Sequence, residues 1–181
     1  SGRRLPSGGA SMSLAKNKVE WCLRKAEKEL KEKKKHRGLV KIDSTQTEAN
    51  EHITKAEHYL GATIYLKNGG FSDLCASTIF YATYHALLAI AVKHGYESRN
   101  QECTFALIYY LIEENKIQMN KNLLEKVAKL NPEEHNEKTA IGVREFYQYG
   151  TSLSIEENLY GDLLETAKAI IMEAKIIVGK K

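Results

Sequence analysis

The strongest chemical signal in the sequence is Arg144 with its neighbours, near the end of a predicted helix that ends at Gly150. Gln148 follows Arg144 by four residues, so both side chains lie on one side of a helix. Tyr149 lies about 140° further round and joins them only if the helix frays toward Gly150. A guanidinium beside an amide and a phenol favours a binding site for an anion or a phosphate. Arg144 and Tyr149 are its candidate catalytic residues. An Arg–carboxylate pair with packed tyrosines is the alternative, and the sequence leaves both open.

A second candidate is a polar stripe on an apolar segment. No charged residue occurs between Leu74 and Val92. At about 100° per residue, Thr78, Tyr81 and His85 fall within about 60° of one another. The stripe either faces a ligand or is satisfied inside the core or at a dimer seam.

The remaining motifs give less information about function. Arg99 and Asn100 form a further polar cluster, on the link after the apolar segment, that could contact a ligand. A Gly-rich phosphate loop, a His-Glu-x-x-His motif and paired cysteines do not occur. The six histidines form no recognised ligand set, since His52 and His58 would lie about 120° apart on a helix. We therefore expect no metal and no cofactor.

Charge is distributed unevenly. Residues 13–41 hold eleven Lys/Arg against four Glu, a net of +7, whereas residues 42–181 hold fourteen Lys/Arg against nineteen Asp/Glu, a net of −5. Such a split favours a polyanion partner, contacted through Lys33, Lys34, Lys35 and Arg37. A solvated, Lys-rich helix end that complements the helix dipole explains the same cluster.

Capping and breaker residues predict an all-α chain. Helices are expected over 13–36, 45–68, 73–94, 102–115, from about 120, 132–150 and 155–178. No convincing strand is predicted. The segment 73–94 is about long enough to span a bilayer, but its polar side chains would need partners there and no second span exists. It is therefore predicted to be the central helix of a soluble bundle, with no membrane association.

The domain organisation follows from composition. Residues 1–11 resemble an expression scar, residues 12–41 form a basic N-terminal helix, and residues 42–181 form the bundle. No signal peptide is visible. Cys22, Cys75 and Cys103 are odd in number and widely spaced, without the spacing of a disulfide framework or a zinc site. A reducing, cytoplasmic location is the resulting prediction.

The central segment resembles the HEPN family of small helical domains. The resemblance is carried by Ile79-Phe-Tyr-Ala-Thr-Tyr-His-Ala-Leu-Leu88, by the following Gly95 and Ser98, and by Glu102-Cys-Thr104. Trp21-Cys22 before a basic turn is similar to archaeal members. The resemblance implies an up-and-down helical bundle of HEPN type, here with an additional basic N-terminal helix, and a homodimer.

Many HEPN proteins are metal-independent endoribonucleases or toxins paired with a nucleotidyltransferase-like antitoxin, and their catalytic signature is Arg, four to six residues, then His. Arg144 matches the signature Arg, but Tyr149 stands where His would be. Arg99-Asn100 also resembles the start of the signature, with Thr104, Phe105 and Ala106 in the His positions. A tyrosine with an ordinary pKa of about 10 is a poor general base at pH 7.

Three functions are therefore expected, in this order. The first is a dimeric domain that binds RNA or a nucleotide phosphate without strong catalysis. The second is a protein-interaction module that pairs with a nucleotidyltransferase-like partner. The third is an endoribonuclease that uses Arg144 with Tyr149 or His85.

Overall fold

The protein is an all-α helical bundle, as predicted. A computed structural model describes residues 13–128 and 139–180. In these residues, seven α-helices and a two-stranded sheet follow in the order α1 Leu14–Lys31, β1 Leu39–Lys41, α2 Gln46–Asn68, α3 Cys75–Lys93, β2 Tyr96–Ser98, α4 Gln101–Glu113, α5 Lys121–Val127, α6 Ala140–Tyr149 and α7 Glu157–Gly179. A short 3₁₀ helix, Ser72–Leu74, precedes α3.

Helix α3 is the centre of the bundle. It packs most extensively against α2 and α7, and also against α6 and α4. Phe80, Leu87 and Ile90 are completely buried. Ser72–Lys93 is the one segment of the described residues whose length and hydropathy would suit a membrane span, and 67% of it is buried inside the fold. This burial is what the core helix of a bundle shows.

Helix α1 ends earlier than predicted. Ser13 caps it by accepting a hydrogen bond from the Lys16 amide at 3.0 Å, as expected, but the helix stops at Lys31 rather than near His36. Lys33 adopts a left-handed conformation (φ 57°), and the Lys34 amide donates to the Glu29 carbonyl. This is a typical C-terminal cap, and it turns the chain back along α1.

The prediction of no strand is wrong for two short segments. β1 and β2 pair antiparallel, with Leu39 opposite Ser98 and Lys41 opposite Tyr96. Each strand has only three residues, and their partners lie far apart in the sequence, so neither periodicity nor a hairpin signal marks them. Gly95, at φ +81°, makes the turn from α3 into β2.

The cysteine prediction is also wrong. Cys22 on α1 and Cys103 on α4 form a disulfide with their Cα atoms 6.0 Å apart. Cys75 remains free and buried. The spacing rule missed this bond because α1 and α4 meet only in the tertiary structure, where they pack side by side.

The starts of two helices differ from the prediction. The Ser72 hydroxyl accepts a hydrogen bond from the Ile155 amide at 3.1 Å, which ties the loop before α7 to the start of the central helix. Helix α7 begins at Glu157, with Glu156 as its N-cap, and not at the predicted residue 155. The predicted continuous sixth helix 132–150 is wrong, because Thr139 is extended and caps a helix that begins at Ala140. Residues 129–138 lie outside the described residues.

Gly38 packs directly against the backbone of α1, and substitution there is expected to be costly. A Cβ at Gly38 would lie 2.3 Å from the Cys22 carbonyl oxygen, a backbone atom that cannot swing away. Gly38→Ala should therefore lower the free energy of unfolding by about 1–3 kcal/mol through overpacking.

Gly61, inside α2, has nothing within 4 Å of its ideal Cβ. Gly61→Ala should raise stability by about 0.5–1 kcal/mol. Urea unfolding followed by circular dichroism measures both, and equal effects of the two variants would contradict this account.

Candidate anion-binding site

Arg144 lies on α6 and turns toward α3. Its guanidinium carbon is 4.5 Å from the ring centroid of Phe80 and 6.0 Å from that of Tyr81. Only 12% of its side chain is exposed. The planar guanidinium is thus held against aromatic faces, which fixes its orientation.

This buried cation has little compensation from acidic groups. Within the described residues its ion pair is with Glu145, whose Oε1 is 4.0 Å from Nη2, beyond hydrogen-bond distance. Its Nε is buried and has no hydrogen-bond partner there. Guanidinium donors removed from water without acceptors carry a desolvation cost. An anion that reached Arg144 would recover this cost.

An aromatic row extends from Arg144 across α3 to α2, and we define it as Tyr81, Tyr59, His85 and His52. The Tyr59 centroid lies 5.7 Å from that of Tyr81 and 5.6 Å from that of His85, on which it stacks at 19°. The Nδ1 atoms of His52 and His85 are 3.1 Å apart. The predicted stripe of Tyr81 and His85 is therefore continued on α2 and leads to Arg144.

The histidines of the aromatic row are held neutral. Burial, reinforced by His52 and Lys55, lowers the pKa of His85 to about 4. Burial also lowers the pKa of His52, against the attraction of Glu48 and Glu51. Near pH 7 both imidazoles are uncharged, so the row has a cation, Arg144, at its Tyr81 end and two neutral rings at the other end.

Stability should depend on the protonation of His85. Because its folded pKa lies below the ordinary value of 6.5, the unfolded chain binds the extra proton first between pH 6.5 and about 4. The free energy of unfolding should therefore fall as the pH is lowered through this window. Urea titrations at several pH values measure the slope, which should be shallower in His85→Gln. The same slope in that variant and the wild type would contradict the assignment.

The other predicted members of the Arg144 cluster lie apart from it. Helix α6 stays helical to Tyr149, so the condition under which Tyr149 would join Arg144, fraying of the helix end, is not met. Tyr149 is 80% exposed and Gln148 is also exposed, whereas Arg144 points into the bundle. The structure thus brings Arg144 together with Tyr81, and not with Tyr149.

Arg99 and Asn100 have structural partners. The Asn100 side chain caps α4 by accepting from the Cys103 amide at 3.0 Å. The Arg99 Nε lies 2.9 Å from Glu97, which also contacts the buried His36 at 2.5 Å. The hydrogen bond with His36 and the charge of Arg99 lower the pKa of Glu97. The Glu97 contacts join β2 to the segment after α1. Arg99 and Asn100 therefore have structural roles there and do not contact Arg144 in the described residues.

The basic cluster is a loop rather than a helix end. Lys33, Lys34, Lys35 and Arg37 are all exposed on the segment between α1 and β1, whereas His36 between them is buried. Lys34 pairs with Glu32 at 2.7 Å, and the Arg37 amide donates to Glu29 at 2.6 Å. Buried His36 thus anchors a loop whose cationic side chains face solvent.

Comparison with known proteins gives no assignment. No family model matches the chain, and no curated protein matches its sequence. In the described residues no group of three or more His, Cys, Asp or Glu side chains is placed to hold a metal ion.

Sequence reasoning missed Phe80, Tyr59 and His52 as parts of the site. Phe80 is not part of the predicted polar stripe, yet the Arg144 guanidinium lies over its ring. Tyr59 and His52 lie seven residues apart on α2, which is a same-face spacing that could have been recognised. Their contact with His85 depends on how α2 packs on α3, which sequence spacing does not give.

Proposed function

We propose that the protein is a HEPN-type helical domain that binds RNA or a nucleotide phosphate through Arg144. The observation that carries the proposal is the guanidinium of Arg144, which is mostly buried and whose Nε has no hydrogen-bond partner among the residues that the structure describes. A phosphate oxygen is the acceptor that best matches a planar, bidentate cation of this kind. The bundle is compatible with the HEPN resemblance, which adds RNA as the source of the phosphate.

The basic loop adds long-range attraction for a polyanion. Its exposed cations, together with the lysines of α1, give the N-terminal segment its positive charge. Charges of this kind attract RNA without reading its sequence, and they make binding depend on salt. Arg144 binds a phosphate directly, and the basic loop increases the electrostatic attraction of the RNA toward the protein.

The salt dependence of binding tests this division. In Lys33→Gln/Lys35→Gln, the slope of log K against log salt for a single-stranded RNA should become shallower by about 1.4, since each lost phosphate contact removes about 0.7. Lys168→Gln/Lys175→Gln, two exposed lysines on α7, removes the same charge and should leave the slope unchanged. Fluorescence anisotropy measures the slope. No RNA binding by the wild type at low salt would overturn the proposed function.

Ribonuclease activity is the second candidate, favoured by the imidazoles that share the aromatic row with Arg144. His85 would take the place of the signature histidine that Tyr149 does not supply. Cleavage of an RNA pool in EDTA, lost in both Arg144→Ala and His85→Gln, would support it. Intact RNA with the wild-type protein would leave binding alone.

We also propose a homodimer or a nucleotidyltransferase-like partner. The support is a set of exposed apolar side chains close to α6, comprising Phe71, Leu74 and Phe146. Exposed apolar patches of this kind are typical of protein interfaces. Light scattering at micromolar concentration would show a dimer, and a monomer would leave the surface for a different protein.

A further inference from the structure

The two histidines at the end of the aromatic row are placed as a pair of metal ligands. His52 on α2 and His85 on α3 bring their Nδ1 atoms to 3.1 Å, with their ring planes inclined at 31°. For metal–nitrogen bonds of about 2.0–2.1 Å, adjacent ligands lie about 2.9 Å apart in an octahedral site and about 3.3 Å apart in a tetrahedral one. The observed separation falls between these values. In the free protein this contact is a hydrogen bond, in which one ring donates its Nδ1–H to the Nδ1 of the other. When the donor ring carries its proton on Nε2 instead, both Nδ1 lone pairs become available at a separation that suits one ion.

The surroundings hold the pair in position and keep it reachable. Helices α2 and α3 form the most extensive helix contact of the described bundle, so their relative position is fixed. Stacking of Tyr59 on His85 limits rotation of that ring. Both histidines are half-buried rather than enclosed in the core. The pair is thus held by the helix contact without being completely removed from solvent.

We propose that His52 and His85 bind one divalent transition-metal ion, of the class represented by Zn²⁺, Ni²⁺ or Cu²⁺. Imidazole nitrogen is a favoured ligand for these ions, whereas Mg²⁺ and Ca²⁺ prefer oxygen. In the described chain no third protein ligand accompanies the pair. Water completes the coordination, and an anion can replace that water. The inference stands on the two imidazoles and does not depend on RNA binding.

The charges near the two histidines have opposite effects on the affinity for a cation. Glu48, one helical turn before His52, and Glu51 place negative charge near that ring. Lys55 places positive charge near His85, and its Nζ lies 5.3 Å from the centroid of the Tyr59 ring. A bound dication would be repelled by Lys55. Removing that charge should strengthen metal binding without touching either ligand.

Isothermal titration of the full chain with ZnCl₂, without reductant and in a phosphate-free buffer at pH 7.5, tests the site. The wild type should bind one Zn²⁺ per chain, and His52→Gln or His85→Gln should each weaken binding by at least about tenfold, since one of two ligands is lost. His58→Gln, an exposed histidine on the same helix, should leave the affinity within about twofold. Lys55→Gln should tighten binding a few-fold. Far-ultraviolet circular dichroism confirms that each variant is folded.

Two results would overturn the proposal. One is the absence of Zn²⁺ binding to the wild type. The other is equal affinity in the wild type and in a folded His52→Gln/His85→Gln variant, which would place the ion elsewhere on the chain. Because RNA binding is measured in EDTA, failure of the metal site would leave the proposed function standing, and failure of RNA binding would leave the metal site standing.

Discussion

Replacing Arg144 by glutamine is expected to weaken RNA binding by about ten- to a hundred-fold. A hydrogen bond to a charged group contributes about 1.5–3 kcal/mol, and each 1.4 kcal/mol is about tenfold in affinity. Arg144→Lys should recover only part of the loss, because lysine keeps the charge but lacks Nε and the planar fork. Fluorescence anisotropy with a single-stranded RNA in EDTA measures all three proteins.

The stability of the same variants separates a binding role from a structural one. The Arg144 guanidinium lies against Phe80, and among the described residues its ion-pair partner Glu145 is 4.0 Å away, so the charge is poorly compensated in that part of the chain. Glutamine removes the charge, and the free energy of unfolding should stay level or rise. A folded Arg144→Gln protein that binds RNA as the wild type does would contradict the proposed grip. A large loss of stability would instead make Arg144 a structural residue.

Loss of the Cys22–Cys103 disulfide is expected to lower the free energy of unfolding by about 4–5 kcal/mol. The bond closes a loop with a sequence separation of 81 residues. In the chain-entropy model, a constraint of this length removes about that much stability when it is broken, because the unfolded chain regains its freedom. Urea unfolding of Cys22→Ala/Cys103→Ala, compared with the wild type without reductant, measures the difference.

Reductant provides the control for this prediction. Dithiothreitol should destabilise the wild type toward the level of the double variant and leave the double variant unchanged. Cys75→Ala removes the free, buried thiol and should keep the sensitivity to reductant. A wild-type protein whose unfolding is the same with and without dithiothreitol would show that the disulfide contributes nothing in solution. The prediction of a cytoplasmic location stays untested.

The sequence predicted the bundle well because its helices carry local signals. Ser13, Asn120 and Gly95 mark element ends that the structure keeps, and the uncharged segment after Leu74 gives the buried central helix. Local signals failed where tertiary contacts decide the outcome. Helix α1 stops at Lys31 since the chain must return along it, with Gly38 against the Cys22 carbonyl.

The candidate site was only partly predictable for the same reason. Arg144 was identified by its type and its neighbours, and Tyr81 and His85 by their spacing on one helix. Tyr149 and Gln148 were assigned to the same grip, but both side chains are exposed on the intact helix α6, whereas Arg144 points into the bundle. Tyr59 and His52 join the row across a helix contact, and Cys22 meets Cys103 across another. Such contacts are set by helix packing, which spacing in one sequence does not contain.

The most direct test of the central proposal is to observe the Arg144 Nε–H group itself. Its nitrogen-15 resonance, assigned by comparison with Arg144→Lys, would be followed while a single-stranded RNA is added in EDTA. We predict a saturable shift of this resonance with the same dissociation constant as anisotropy gives. RNA that binds and shifts only the amides of the loop from Lys33 to Arg37, with the Arg144 resonance unchanged, would contradict a phosphate grip at Arg144.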